Sequence, residues 1–311
     1  MCGIVGGITN RDITPLLIEG LKRLEYRGYD SSGIALLTKN NTFKRARSVG
    51  KVENLEKNLT TRKNKIKGNI GIAHTRWATH GEPSEKNAHP HISNNTISIV
   101  HNGIIENYLE LKDSQLKQGY SFTSDTDTEV IAHAIEFAMQ SNDSFVKSVQ
   151  KAITTFDGAY GLGIISPNYP NTIIAARKGS PLVIGVGENG NYIASDQLAL
   201  LSVTKEFIFL EEGDIAELSI DKITIYDKDG IEVNRPIKTS KIKEGEVELG
   251  NYKHFMQKEI FEQPQAIRDT LESRITKESV LVSAFGYKAK NIFKNIKQVQ
   301  IVACGTSYNA G

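Results

Sequence analysis

The second residue of the chain is a cysteine, and its place beside the N-terminus gives it chemical interest. Removal of Met1, which is favoured when a small residue follows, would leave Cys2 with both a thiol and a free α-amine. An α-amine has a pKa of about 8 and a thiol one of about 8.5, so the neutral amine can act as a base for the thiol. The thiolate could then attack a carbonyl carbon. The alternative is that Cys2 is a small buried residue at the start of a strand.

A second candidate is the pair Asn102-Gly103, which follows an apolar run. The Asn102 carboxamide N–H and the Gly103 backbone N–H could converge on one oxygen and form an oxyanion hole. Asn-Gly is also the strongest short signal for a type I′ hairpin turn. From the residues alone, both interpretations stay open.

Charged and aromatic residues supply two further candidates. Arg76 lies in the stretch 74–81, where its guanidinium suits two-point recognition of a carboxylate, while the neighbouring Trp77 could be a core residue. Thr126 and Glu129 match a capping box, which would place Asp127 in the first turn of a helix. There Asp127 could stabilise the helix dipole or bind a substrate ammonium group.

Two other patterns resemble binding motifs without meeting their requirements. The glycines of 185–190 match a dinucleotide-binding pattern, but 191–194 read as a strand rather than a helix, so a hairpin turn is predicted. His89 and His91 lack further residues at zinc-ligand spacing, so a metal site is not predicted.

These candidates need a scaffold, and the pattern of the first 230 or so residues predicts an α+β one. Short β-type runs recur at hairpin distances, which favours antiparallel sheets; they are 4–8, 33–37, 70–74, 97–101, 160–165, 172–177, 182–185 and 214–218. Apolar residues at helical spacing occur in separate blocks, one from Ile13 to Leu24 and one from Val130 to Ala138.

Composition excludes several classes of protein. The chain has 311 residues, 39% hydrophobic and 24% charged, and no apolar run approaches the roughly 18 residues of a membrane span. A net charge of +2 gives no electrostatic reason to expect nucleic acid or an anionic membrane as a partner. Two distant cysteines and no signal peptide predict a reduced, cytoplasmic protein.

The domain boundaries are expected where the strand pattern ends at Pro236. Residues 2–238 form the first domain, and 239–295 form a linker with a helical stretch at 252–275 that is interrupted or restarted at Pro264. Residues 296–311 read as a buried strand, 299–303, followed by a turn at which a helix should begin. We interpret this ending as the start of a truncated α/β domain, so that the chain is a piece of a longer protein.

Taken together, these stretches resemble the class II glutamine amidotransferases, and specifically those whose amidotransferase domain is joined to sugar-isomerase domains. The blocks that carry the resemblance span the chain in order: Met1–Gly6 (MCGIVG), Leu24–Ser31 (LEYRGYDS), His74–Gly81 (HTRWATHG), Val100–Asn107 (VHNGIIEN), Thr126–Glu129 (TDTE), Phe156–Gly161 (FDGAYG), His254–Pro264 (HFMQKEIFEQP) and Ala303–Tyr308 (ACGTSY).

The resemblance implies the four-layer αββα fold of N-terminal-nucleophile hydrolases, with a role for each matching residue. Cys2 would be the nucleophile, and Asn102 and Gly103 the oxyanion hole. Arg76 would bind the α-carboxylate of glutamine and Asp127 its α-ammonium group. The remaining assignments are Thr79 and His80 as site-lining residues, Trp77 as the lid residue that gates ammonia, and Thr306 and Ser307 as part of a sugar-phosphate loop.

The function that the resemblance implies is release of ammonia from L-glutamine, for use on fructose 6-phosphate in amino-sugar synthesis by a homodimeric enzyme. Neither a metal nor an organic cofactor is implied. Two alternatives stay open: another amidotransferase of the class, of the phosphoribosyl or asparagine synthetase type, and a non-catalytic regulatory domain with the same fold.

Overall fold

The structure is a computed structural model. It describes residues 2–61, 66–141, 143–242, 251–271, 275–276, 279–280, 282, 289–303 and 305–311. The chain divides into two units, Met1–Val247 and Glu248–Gly311.

The strands of the described residues all lie in the first unit. In chain order they are β1 Gly3–Thr9, β2 Ser31–Leu37, β3 Phe43–Val49, β4 Ile70–Arg76, β5 His91–Ser93, β6 Ile97–Ile105, β7 Gly158–Ile165, β8 Ile173–Lys178, β9 Val183–Gly187, β10 Gly190–Ala194, β11 Glu206–Phe209, β12 Ile215–Leu218, β13 Ile223–Tyr226, β14 Glu232–Val233 and β15 Ile237–Thr239.

The helices of the described residues belong to both units. They are α1 Thr14–Leu24, α2 Val52–Thr61, α3 Tyr108–Lys117, α4 Glu129–Met139, α5 Phe145–Ile153, α6 Phe255–Leu271, α7 Ala289–Asn295 and α8 Gly305–Ala310. Among the described residues, no helix has both the length and the apolar character that crossing a bilayer requires.

The strands form two sheets. One has the order β15-β11-β9-β10-β1-β4-β2-β3, and the other has the order β14-β13-β12-β8-β7-β6-β5. Pairing within each sheet is antiparallel. β15 extends the first sheet beyond Pro236, where the change in composition had predicted the end of the strands. β9 and β10 form the predicted hairpin around 188–189.

The alternation of side chains along the strands explains how the sheets stack. On β1, Ile4 and Ile8 join an apolar cluster that both sheets share, whereas Val5 packs with the helices α1 and α2. On β6, Val100 lies in the shared cluster, whereas Ile99 packs against α4 and α5. Two sheets therefore lie between two helical layers, which confirms the predicted four-layer αββα arrangement.

The predicted capping box before α4 is wrong. The helix begins at Glu129, two residues later than expected, and its N-cap residue Thr128 makes no side-chain cap bond. The Glu129 carboxylate instead accepts hydrogen bonds from the backbone N–H groups of Thr123 and Ser124, at 3.0 and 2.8 Å. Because these two N–H groups bind the Glu129 carboxylate, the carboxylate does not cap Thr126, and Thr126 lies outside the helix.

The second unit differs from the sequence prediction in two places. α6 runs through Pro264 without interruption. Residues 299–303 form no strand, and Val302 is 88% exposed. A parallel strand needs neighbours for its backbone groups, and the described part of this unit offers none beyond one isolated bridge between Ile275 and Val280.

Candidate active site

Cys2 lies immediately before β1, a strand that is paired on both sides by β4 and β10. The Cys2 sulfur accepts a hydrogen bond from the Trp77 backbone N–H at 3.2 Å and lies 3.5 Å from the Trp77 carbonyl oxygen. Burial raises the pKa of the Cys2 thiol, and the Trp77 N–H opposes that shift. The thiol is therefore held in one place but needs a base to become a nucleophile.

Asn102 and Gly103 lie inside β6, opposite Gly161 and Tyr160 of β7, so the hairpin-turn interpretation is wrong. The Asn102 side chain donates from Nδ2 to the Cys2 carbonyl oxygen at 3.2 Å, which places an amide donor beside the cysteine. Gly103 has φ +139°, and a Cβ there would lie 2.0 Å from the Ala159 carbonyl oxygen. Only glycine fits this backbone.

Arg76 ends β4 and is 3% exposed. Its guanidinium donates to the carbonyl oxygens of His80, of Gly81 at 2.9 Å and of Glu82 at 3.3 Å. The Asp30 carboxylate lies 3.6 Å away. Arg76 therefore ties the loop 77–82 to the end of its strand, in addition to any ligand it binds.

The loop 77–82 is fixed at several further points. The Ala78 N–H donates to the Asp30 carboxylate. Trp77 is 54% exposed, yet its ring lies so close to Gly28 that a Cβ there would be 2.7 Å from it. Thr79 is exposed, and no hydrogen bond of its side chain occurs among the described residues. Because the Trp77 ring packs against Gly28 and its backbone N–H contacts the Cys2 sulfur, the loop lies beside Cys2.

Asp127 is 3% exposed and precedes α4 rather than lying in its first turn. One carboxylate oxygen accepts the Ile105 N–H at 2.8 Å. The other lies 3.9 Å from Nδ1 of His80, whose ring packs edge-on against Tyr108. The predicted place of Asp127 in the first turn of α4 is therefore wrong. Asp127 instead presents a buried negative charge at the end of β6.

Sequence reasoning missed Asp30 and His74 as residues that contact these candidates. Asp30 binds the loop 77–82, as described above, and His74 donates from Nε2 to Asn102 Oδ1 at 2.9 Å. Period-2 spacing places His74 on the same face of β4 as Arg76. That spacing is the signal that could have drawn attention to it.

His74 belongs to a group of buried histidines, with His89 and His91 close by. The His74 and His89 rings are stacked at 4.1 Å, and His89 packs edge-on against His91 at 4.8 Å. Burial lowers the pKa of His74 to about 3, and it holds the pKa values of His89 and His91 well below their usual range. These rings are neutral at ordinary pH.

The predicted sugar-phosphate residues lie in the second unit. Ser307 is exposed on the short helix α8, which also contains Thr306. Cys304 and Met1, whose removal is expected, lie outside the described residues.

Comparison with known proteins gives a consistent result. Residues 74–202 match the sequence profile of a family described as a glutamine amidotransferase domain. The chain is 53% identical over 311 residues to the glutamine–fructose-6-phosphate aminotransferase of Haemophilus influenzae, covering 100% of this chain and 50% of that protein. It is also 53% identical over 313 residues to the Pseudomonas putida enzyme of that name, covering 100% and 51%. The chain thus spans about half the length of these relatives.

Solved structures share the fold. The glutamine phosphoribosylpyrophosphate amidotransferase of B. subtilis, complexed with ADP and GMP, superimposes with a TM-score of 0.63 at 24% identity, over 73% of this chain and 49% of that one. A structure described as the allosteric regulatory enzyme of purine biosynthesis gives 0.63 at 25% identity, with the same coverage.

Proposed function

We propose, from the premise that the chain belongs to the glutamine amidotransferase family, that its first unit hydrolyses L-glutamine to glutamate and ammonia. The observation that carries the proposal is the arrangement around Cys2. The Cys2 thiol lies just before a central strand, β1. The Asn102 side-chain amide donates to the Cys2 carbonyl oxygen at 3.2 Å. A thiol and an amide donor that contacts the backbone of the same cysteine are the two groups that acyl transfer through a thioester uses.

The first step begins once Met1 has been removed. The free α-amine of Cys2 accepts the thiol proton, and the sulfur attacks the side-chain carboxamide carbon of glutamine. The carbonyl oxygen becomes an oxyanion, which Asn102 Nδ2 and the Gly103 N–H stabilise. Collapse of this intermediate breaks the C–N bond, and the protonated amine returns its proton to the leaving ammonia. Water then hydrolyses the γ-glutamyl thioester through a second oxyanion.

Substrate specificity follows from the two buried charges. Arg76 binds the α-carboxylate of glutamine and Asp127 the α-ammonium group, since these are charge-assisted pairs of opposite sign. Thr79 and His80 line the site, and Trp77 covers it and gates the path by which ammonia leaves. The bonds from Arg76 to the carbonyl oxygens at 80–82 support this assignment, because they couple carboxylate binding to the position of the covering loop.

For the longer protein, we infer that the ammonia is added to fructose 6-phosphate in a sugar-isomerase portion. Thr306 and Ser307 would begin a phosphate-binding loop in that portion, and the enzyme would act as a cytoplasmic homodimer. The similarity of this whole chain to about half of the glutamine–fructose-6-phosphate aminotransferases supports this acceptor over a phosphoribosyl or aspartyl one.

The test of the proposal measures hydrolysis and labelling together. We expect this chain to convert glutamine to glutamate, and a glutamine-like diazoketone to modify Cys2 once per chain and abolish turnover. A Cys304→Ser variant is the matched control, since it keeps labelling and activity. The proposal fails if glutamine is not hydrolysed by protein whose N-terminal Cys2 is verified by mass spectrometry, or if Cys2→Ala retains turnover. A retained Met1 in the native protein would favour the non-catalytic alternative.

Replacement of Arg76 by alanine is expected to raise KM by roughly 30-fold or more, since loss of one partner of a buried charge pair costs about 2–5 kcal/mol. Steady-state kinetics with glutamine, and with an analogue lacking the α-carboxylate, measure the effect. The variant should no longer distinguish the two substrates. An unchanged KM would contradict the assignment, provided that chemistry is slow relative to substrate release. Arg177→Ala, on β8, is the matched control.

A further inference from the structure

One contact joins the two sheets at the candidate site. His74, on β4 of the first sheet, donates from Nε2 to Oδ1 of Asn102, on β6 of the second sheet, at 2.9 Å. His74 is fully buried and Asn102 is 7% exposed. Because both side chains are buried, breaking this hydrogen bond would leave their polar atoms without a solvent partner.

The direction of this bond follows from chemistry. A carboxamide oxygen can only accept, so the His74 ring must carry its proton on Nε2. With Oδ1 bound in this way, Nδ2 faces the Cys2 carbonyl oxygen, 3.2 Å away. Rotation of the carboxamide by about 180° would exchange the two atoms. It would then present an acceptor oxygen where the reaction needs a donor.

The ring that supports His74 is itself fixed. His89, stacked on His74, accepts the His101 backbone N–H at Nδ1, at 3.3 Å. Its proton is therefore on Nε2, which donates to Thr128 Oγ1 at 3.3 Å. The Thr128 hydroxyl then donates to Nδ1 of His101 at 3.0 Å. These bonds fix the tautomer and the orientation of His89, so the ring stacked on His74 is held in place, while the tautomer of His74 itself follows from its bond to Asn102.

We propose that His74 is a positioning residue of the glutaminase reaction, which fixes the Asn102 carboxamide so that Nδ2 faces the developing oxyanion. This inference rests on the proposed function, because it needs Asn102 to act on the transition state. A residue that acts in this way alters kcat and leaves glutamine binding unchanged.

The test compares two substitutions of similar polarity but different reach. In His74→Gln, the side-chain amide lies close to the position of Nε2 and can still donate to Asn102, so kcat should stay within about fivefold of wild type. In His74→Asn, the shorter side chain does not reach Asn102. There kcat should fall by about 10- to 100-fold, with KM changed by less than twofold.

A double substitution separates this role from a merely structural one. If His74 acts only through Asn102, then adding His74→Asn to Asn102→Ala should lower kcat no further. His133→Ala is the matched control. It truncates another buried histidine, which is hydrogen-bonded to Ser93 at 2.8 Å, and should lower stability without lowering the kcat of folded protein.

Three results would overturn the inference: full activity in His74→Asn, a multiplicative loss in the double variant, or an equal loss in His133→Ala. Each is distinct from failure of the proposed function, in which the wild-type chain hydrolyses no glutamine or Asn102→Ala is fully active. If His74→Asn does not fold, wild-type kcat in a His74→Leu variant that does fold would equally refute the role.

Discussion

Replacement of Asn102 by aspartate is expected to lower kcat by about 10²–10³ while the protein stays folded, which is the usual effect of removing one oxyanion donor. The Nδ2 donor becomes a carboxylate oxygen, so a negative charge faces an intermediate that is itself negative. The shape of the side chain is preserved, and its other oxygen can still accept the bond from His74. KM should change little, because the donor gains strength only as charge develops on the substrate oxygen.

Asn191→Asp is the matched control for this substitution. Asn191 is equally buried on β10, and its Nδ2 donates to the carbonyl oxygens of Ser219 and Ile220 at 2.8 and 3.1 Å. This variant should lose stability but keep the kcat of the protein that remains folded. Thermal unfolding and active-site labelling give the folded fraction. More than about a tenth of wild-type kcat in folded Asn102→Asp would be incompatible with an oxyanion donor.

Mild acid is expected to destabilise the first unit steeply, because its buried histidines are neutral in the fold. In the unfolded chain they have pKa values of about 6.5, whereas in the fold that of His74 is about 3 and those of His89 and His91 are also far lower. Below pH 6.5 the unfolded state therefore binds more protons than the folded state. The free energy of unfolding consequently falls as the pH falls.

The size of this effect follows from linkage. Each such histidine contributes a slope of about 1.4 kcal/mol per pH unit below pH 6.5, so the three together remove about 6 kcal/mol between pH 7 and pH 5. That loss is comparable with the whole stability of many domains. Urea unfolding at a series of pH values measures it, and a free energy that stays constant from pH 7 to 5 would refute it.

Two substitutions sharpen the pH measurement. His91→Gln removes one titrating ring, and its amide can still donate to Thr126, which His91 contacts at 3.2 Å. The slope should therefore fall by about 1.4 kcal/mol per pH unit. His254→Gln, at an exposed position of the second unit, should leave the slope of the first unit unchanged.

Several strands of the first unit, among them β1 and β6, could be predicted from the sequence because their burial is regular, whereas others such as β3, β11 and β13 were not predicted. In β1 and β6, alternate apolar residues face the other sheet and the helices, so periodicity and burial agree. The motif resemblance assigned chemistry to Cys2, Asn102 and Arg76, and the structure places all three around one end of the sandwich.

The remaining features depend on contacts between distant residues. From the sequence alone, Asn102-Gly103 fits a hairpin turn as well as an oxyanion hole. Only the pairing of β6 with β7 shows that the two residues lie inside a strand. His74 is a lone histidine at a strand end, and nothing local shows that its partner lies 28 positions away. The start of α4 was misplaced because Glu129 binds the segment at 123–124. Residues 299–303 have the composition of a buried strand but no neighbours among the described residues.

The place of β1 in the middle of its sheet has a consequence for biosynthesis. One neighbour of β1, the strand β4, follows it within the first 76 residues of the chain. The other neighbour, β10, pairs Ala194 with Val5, so this pairing can form only after most of the first unit has been synthesised. Closing so long a loop costs more entropy than forming local hairpins, so such contacts form late. Through this interval the chain before β1 is expected to stay accessible to a peptidase that could remove Met1. Removal of Met1 is therefore expected to precede docking of β1, the strand that directly follows Cys2.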